Sequence, residues 1–186
     1  PVSFSPLELE DDPFQPLAAV LRKSFPDQNW RMSDLAQRLR MNPADIAAVA
    51  SDALGQDGAS AQLLLFVDQF EEVFSSNVDA GRRSNFFKLL TAAVECPLVR
   101  VVVAMRSDFY DQWPQDETCI TLLRSGHFPV AVPGPAALEK MITGPAQAAG
   151  LTISQQLVQR ILDDTGSGPG ALALVEFALS LLYDKR

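Results

Sequence analysis

Short apolar runs alternate with stretches of helical periodicity over the first two thirds of the chain. LLLFV at residues 63–67 and VRVVVAMR at 99–106 are rich in aliphatic residues. The first run is short, continuous and apolar, which predicts a strand buried on both faces, as in parallel sheets. β-branched residues predict a second buried strand in the other run. PVSF at 1–4 and FPVAV at 128–132 predict two further short strands.

Apolar residues at helical spacing lie between these predicted strands. The stripe that starts at Phe14 predicts a helix to about residue 25, and a second stripe predicts one over 43–54 before Gly55. A third helix is predicted over 82–95, ending at Pro97. Alternating strands and helices are typical of an α/β fold, in which right-handed crossovers join the strands of a parallel sheet.

From Pro133 onward the pattern predicts helices alone. Gly144 and Pro145 are expected to interrupt the first of them, and Ser154 is expected to cap the next. The glycine-rich TGSGPG at 165–170 follows a helix and lacks a subsequent Lys-Ser/Thr, so it predicts a helix connection rather than a phosphate-binding loop. We therefore expect an α/β portion over residues 1–132 and a small helical subdomain over 133–186.

Three acidic residues follow the LLLFV run directly. Asp68 ends the predicted strand, and Glu71 and Glu72 come three and four residues later. Ligands of parallel sheets bind at the carboxyl ends of the strands, where a carboxylate suits a hard cation such as Mg²⁺. The pattern indicates a metal-holding acid followed by a candidate base. The alternative is a purely structural role in a turn or at a helix start.

Arg106 ends the next predicted strand. If the two strands are neighbours in the sheet, this cation faces the same cleft as Asp68. The alternative is a surface arginine that forms a structural ion pair with Asp108. His127, the single histidine, is expected to be a packed or surface residue, because no nucleophile is positioned to use it.

Composition narrows the classes of partner. The formal net charge is −8 and the pI is about 4.6, which disfavours non-specific binding to nucleic acid or acidic lipid. Cys96 and Cys119 have no metal-ligand spacing, and we expect reduced, buried thiols in a cytoplasmic protein. The chain begins with Pro1 instead of an initiator methionine, so we expect it to be part of a longer polypeptide.

The motifs together resemble the STAND class of P-loop NTPases, signal-transduction ATPases related to the NACHT and apoptotic-ATPase groups. The bacterial branch that is often joined to WD-type repeats is the most similar. LLLFVDQFEE resembles its Walker B motif, and RVVVAMRSDF resembles the following strand with its sensor arginine. ITGPAQAAG and GALALVEFAL resemble motifs of its helical lid.

This resemblance implies a role for each candidate residue. Asp68 would hold Mg²⁺, Glu71 would orient or deprotonate the attacking water with Glu72 as the substitute, and Arg106 would sense the γ-phosphate of ATP. It also implies a partial P-loop NTPase sheet followed by a lid. The family acts as an ATP/ADP-controlled switch, so the resemblance implies the nucleotide as a ligand and self-association or a protein partner.

The phosphate-binding loop of the family is absent from the sequence. G-x-x-x-x-G-K-[ST] occurs nowhere, and none of the four lysines follows a glycine. In the family this loop and its strand lie upstream of the segment that this chain resembles. The chain is therefore expected to bind nucleotide poorly unless that upstream segment is supplied.

Two other functions remain open from the residues. One is a non-catalytic α/β scaffold whose acidic surface and helical half bind partners. The other is a metal-dependent hydrolase, built on Asp68, Glu71 and Glu72, that needs no nucleotide.

Overall fold

A computed structural model describes residues 1–9, 11–55, 61–114, 117–166 and 170–184. Residues 56–60 and half of TGSGPG, residues 167–169, lie outside the described residues. Strands and α-helices are labelled in chain order: β1 (Val2–Phe4), α1 (Phe14–Ser24), α2 (Met32–Met41), α3 (Ile46–Leu54), β2 (Leu63–Val67), α4 (Ala80–Glu95), β3 (Val99–Val103), α5 (Glu117–Gly126), α6 (Pro135–Ala148), α7 (Gln155–Thr165) and α8 (Ala171–Asp184).

The described residues divide into two compact units, Pro1–His127 and Phe128–Arg186. In the first unit, β1, β2 and β3 form a three-stranded sheet in that order, and both pairings are parallel. This confirms the predicted α/β fold with a partial parallel sheet flanked by helices. The assignment of nucleotide-binding and lid roles to residues 1–132 and 133–186 stays a prediction.

The sheet is covered by helices on one face. Leu63, Leu65 and Val67 of β2 are almost fully buried, and Val2 and Phe4 of β1 share that face. Helix α1 lies against β1, and α4 lies against β3.

The opposite face of the sheet is more open. Leu64 is 37% exposed and Val102 is 46% exposed. The expectation of burial on both faces is therefore wrong for β2. Apolar composition indicates the capacity for burial, but the number of covered faces depends on which elements pack there.

FPVAV does not form the predicted strand. Residues 128–132 carry no strand assignment, and Phe128, Val130 and Val132 are strongly exposed. A strand requires a neighbour to pair with its backbone groups. The strand predicted at PVSF is present as β1, so the sheet contains three of the four predicted strands.

The second unit contains α6, α7 and α8 around a small core of Ile142, Val158, Ile161 and Val175. Ser154 caps α7 as predicted, since its Oγ accepts a hydrogen bond from the backbone N–H of Leu157 at 3.3 Å. The predicted break at Gly144 and Pro145 is wrong, because α6 runs through both.

Burial on the two sides of Pro145 explains the continuity of α6. Ile142 and Ala146 are both buried, so interrupting the helix would expose one of them. This packing offsets the backbone hydrogen bond that proline lacks. Among the described residues, no helix combines the length and apolar character needed to cross a bilayer.

Candidate functional site

Asp68 lies at the carboxyl end of the middle strand, between its two neighbours. Its backbone N–H donates to the carbonyl of Phe4 at 3.0 Å, which extends the pairing with β1. On the other side, the N–H of Ala104 donates to the carbonyl of Val67 at 2.9 Å. Strands β2 and β3 are therefore adjacent, as the prediction for Arg106 required, and their ends face the same edge of the sheet.

The backbone bends immediately after Asp68. Gln69 has φ 50° and ψ 44°, in the left-handed region that residues with a Cβ seldom adopt. Asp68 Oδ1 accepts a hydrogen bond from the N–H of Gln69 at 2.9 Å, and the N–H of Phe70 donates to the carbonyl of Ala104 at 2.9 Å. These bonds favour a conformation that costs about 1–2 kcal/mol for a residue with a side chain.

The bend at Gln69 leads into a short 3-10 helix, Phe70–Phe74, which carries both glutamates. Its anchor is Phe70, which is fully buried. The Phe70 ring packs at centroid distances of 5.5–6.3 Å against the aromatic rings of Phe74, Phe86, Phe87 and Trp113. Buried aromatic packing therefore holds in place the start of the 3-10 helix that carries the two glutamates.

The two glutamates make different contacts. Glu72 Oε2 accepts a hydrogen bond from the backbone N–H of Leu7 at 2.8 Å, which ties it to the segment after β1. Glu71 Oε2 lies 3.4 Å from the backbone N of Arg106, at the long limit of a hydrogen bond. Glu71 therefore lies beside the end of β3, and its carboxylate is the less tightly bound of the two.

The guanidinium of Arg106 is paired with Asp108. Its Nε lies 3.1 Å from Asp108 Oδ1, and its Nη2 lies 2.8 Å from Oδ2. Hydrogen bonding to Asp108 raises the pKa of Arg106, and the same bond lowers the pKa of Asp108. The ion pair that the sequence left as an alternative is thus present, on an exposed part of the surface.

The carboxylates at the sheet edge fit a cation site in which the protein supplies one ligand. Among the described residues there is no group of three or more His, Cys, Asp or Glu side chains arranged to bind a metal. Asp68 has an exposed carboxylate at the strand end. One such carboxylate fits Mg²⁺, which keeps several waters and takes further oxygen ligands from a bound phosphate.

Other titratable residues lie outside this arrangement. His127 Nε2 is 2.7 Å from the hydroxyl of Tyr110, in an exposed contact. Cys96 and Cys119 are both buried, as the sequence predicts for these side chains.

Sequence reasoning missed Arg83, whose guanidinium donates to backbone carbonyls at the end of the 3-10 helix and just beyond it. No motif marks this arginine, which stands beside a second one at the start of α4. Its contacts depend on how the loop before α4 folds back.

Comparison with known proteins adds one finding. A protein-family model described as nSTAND1, Novel STAND NTPase 1, matches residues 2–186. No match was found among curated proteins or among solved structures. Because the family match spans nearly the whole sequence, the chain belongs to the novel STAND NTPase 1 family.

Proposed function

We propose that this chain forms the Walker B, sensor and lid portion of a cytoplasmic STAND-type ATPase that acts as an ATP/ADP-controlled signalling switch. The observation that carries the proposal is the exposed carboxylate of Asp68 at the end of the central parallel strand, with Glu71 three residues later and in contact with the backbone of Arg106. Family membership supports the same assignment.

Asp68 is the proposed Mg²⁺ residue. An Mg²⁺ ion bound with ATP would supply positive charge that offsets the phosphate charge during phosphoryl transfer to water. Asp68 holds it from the protein side, directly or through a water ligand. Its exposed carboxylate accepts a hydrogen bond from the N–H of Gln69 through Oδ1 at 2.9 Å.

Glu71 is the proposed base, in preference to Glu72. The short hydrogen bond from Leu7 engages Glu72 in holding the segment after β1. Within the described part of the chain, the one hydrogen bond of the Glu71 carboxylate is the long one to the backbone of Arg106, so this group is available to align or deprotonate a water molecule.

Arg106 is the proposed γ-phosphate sensor. Its bond to Asp108 is exposed on both sides, with 67% and 56% of the side chains accessible, and exposed ion pairs are weak. A phosphate group therefore competes effectively for the guanidinium, since it offers the same bidentate geometry and more charge. Exchange of Asp108 for phosphate is the event that distinguishes ATP from ADP.

The phosphate-binding loop must come from another segment. Among the described residues, β3 pairs only with β2, and the sheet face that includes Leu64 and Val102 is partly exposed. Parallel sheets are ordinarily covered on both faces. A strand, loop and helix docked along β3 would cover this face and bring backbone amides to the phosphates. The helical unit 128–186 then serves as the lid and as a surface for self-association or a protein partner.

The test is calorimetric titration of Mg·ATP into this chain and into a longer chain that carries a phosphate-binding loop. We expect binding by the longer chain alone. In that chain Glu71→Gln should retain ATP binding and lower kcat by about a hundredfold or more, as loss of a general base does.

The control for this test is Glu95→Gln, an exposed glutamate at the end of α4, which should leave hydrolysis unchanged. If the longer chain neither binds nor hydrolyses ATP, the ATPase proposal is wrong. If it hydrolyses ATP and Glu71→Gln does so equally fast, the assignment of the base is wrong.

A scaffold function is the second candidate, and exposed apolar residues on α8 favour it. Leu174, Phe177 and Leu181 follow one another at helical spacing and are 53%, 63% and 42% exposed. Such a stripe is typical of a helix that packs against a partner. A longer chain that binds no nucleotide and assembles unchanged after Glu71→Gln would support this function.

A further inference from the structure

Arg83 connects helix α4 to the segment that carries the glutamate pair. Its Nε donates to the carbonyl of Val73 at 2.9 Å. Its Nη2 donates to the carbonyls of Ser75 and Val78, each at 3.2 Å. One partly buried guanidinium thus binds three carbonyls between residues 73 and 78, one in the 3-10 helix and two in the loop before α4.

The carbonyl of Val73 lies in the last turn of the 3-10 helix, whereas the carbonyl of Ser75 also accepts a hydrogen bond from the N–H of Val78 at 3.1 Å. The 3-10 helix ends at Phe74, and the last carbonyls of a helix have no intrahelical partner. A cation near a helix carboxyl end also interacts favourably with the backbone dipoles. Arg83 therefore supplies both hydrogen bonds and charge at the end of the short helix.

The start of α4, which carries Arg83, is held by a cap and by buried aromatic residues. Asp79 caps α4, because its Oδ1 accepts hydrogen bonds from the N–H groups of Gly81 and Arg82 at 2.9 and 3.1 Å. One turn further on, Phe86 and Phe87 are buried against Phe70. Arg83 thus extends from a capped helix start to the carboxyl end of the glutamate segment.

The planar fork of arginine is essential to this arrangement. Its nitrogens diverge in fixed directions, so one side chain reaches carbonyls that lie apart. A lysine has one terminal nitrogen and would satisfy only part of the set.

We infer that Arg83 is a positioning residue that fixes the 3-10 helix Phe70–Phe74, and through it the orientation of Glu71 at the sheet edge. The inference rests on the proposed function of Glu71. It assigns Arg83 no contact with the nucleotide. The consequence is that loss of the fork misplaces the base while leaving the phosphate-binding elements intact.

The first experiment measures backbone amide exchange in the chain as it stands, for Arg83→Gln and for the matched neighbour Arg82→Gln. The side chain of Arg82 donates instead to the carbonyl of Asp11. In Arg83→Gln the hydrogen-bonded amides of Glu72, Ser75 and Val78 should exchange at least about tenfold faster, since local opening is easier. Arg82→Gln should leave them unchanged. Unchanged exchange in Arg83→Gln overturns the inference.

The second experiment measures ATP hydrolysis in the longer chain with its phosphate-binding loop. Arg83→Gln should lower kcat by about ten- to a hundredfold, because small displacements of a catalytic group are costly. The KM for ATP should change less than about twofold, and Arg83→Lys should recover part of the rate. A parallel rise in KM with unchanged kcat contradicts positioning of the base.

A double variant identifies the residue through which Arg83 acts. In the Glu71→Gln background, Arg83→Gln should cause little further loss, since the group that it orients is already gone. An undiminished loss overturns the inference. If the parent longer chain does not hydrolyse ATP, the proposed ATPase function fails, and amide exchange still decides whether Arg83 fixes the segment.

Discussion

The guanidinium of Arg106 contacts two neighbouring side chains. Asp108 holds its guanidinium through two hydrogen bonds, and the ring of Phe109 lies 5.8 Å below it. The position at the end of β3 follows from the sequence. The choice of Asp108 as partner depends on the 3-10 helix Ser107–Gln112, which turns that carboxylate back toward the arginine.

The Arg106–Asp108 pair predicts a specific pH dependence. The hydrogen bond from Arg106 lowers the pKa of Asp108, so the pair stabilises the fold fully above the ordinary aspartate range. This contribution is lost as the pH falls through the lowered pKa. In an NMR titration, the Asp108 carboxyl should have a midpoint below its ordinary value. Arg106→Gln should raise that midpoint toward the ordinary range.

The control for this titration is Arg100→Gln, which removes an arginine of β3 but not the partner of Asp108. It should leave the midpoint in place. An Asp108 midpoint that is equally low without Arg106 would show that another cause lowers the pKa.

Helices α1 and α2 are joined by a charge pair at the edge of the core. Asp12 is 3% exposed, and among the described residues it is the one buried charged side chain. Its Oδ2 is bonded to Arg40 at the end of α2, and its Oδ1 accepts a hydrogen bond from the N–H of Phe14 at 3.2 Å. One carboxylate thus holds the start of α1 and the end of α2.

Asp12→Ala should therefore destabilise the fold strongly. It leaves Arg40 without its partner, and breaking a buried pair in this way costs about 3–5 kcal/mol. Because Arg40 is 29% exposed, we expect a loss near the lower end of this range, about 3 kcal/mol. Denaturation in urea, followed by tryptophan fluorescence, measures the change.

The matched control is Asp45→Ala, which breaks the more exposed pair between Arg38 and Asp45, also at α2. Exposed pairs contribute about 1 kcal/mol or less. Equal losses for the two variants would show that burial does not distinguish them.

The two compact units differ greatly in the size of their cores. The first unit buries a continuous cluster that includes residues of all three strands and of α1, α2, α3 and α4. The second has four buried residues at its centre. Since burial of apolar surface is the main favourable term in folding, the second unit should be the less stable.

The difference in core size predicts two unfolding transitions. Both tryptophans, Trp30 and Trp113, belong to the first unit, whereas helices occur in both. On heating, far-UV circular dichroism should show a loss of helix before tryptophan fluorescence changes. Ile161→Ala should lower the temperature of the first transition alone, and Leu39→Ala should lower that of the second. Coincident transitions by both probes would indicate one cooperative unit.

Most elements of the fold were predictable from local pattern. Strand β2 has the predicted bounds, and α1 and α4 agree with the predicted helices to within two residues at each end. These segments combine strong apolar periodicity with clear end signals, so local and tertiary preferences agree. FPVAV and the predicted break in α6 are the exceptions, because pairing and burial decide them.

The order of apolar and polar residues determined that the chain makes an α/β fold, and it located Asp68, Glu71 and Arg106 at strand ends. These properties depend on neighbours along the chain, so the sequence contains them directly. Only the tertiary structure decided that β1 completes the sheet, that Glu72 binds Leu7, that Asp108 holds Arg106 and that Arg83 reaches three carbonyls. Each of these contacts joins groups that packing brings together, often from distant positions in the chain. Local sequence patterns do not contain this information, because it depends on the whole fold.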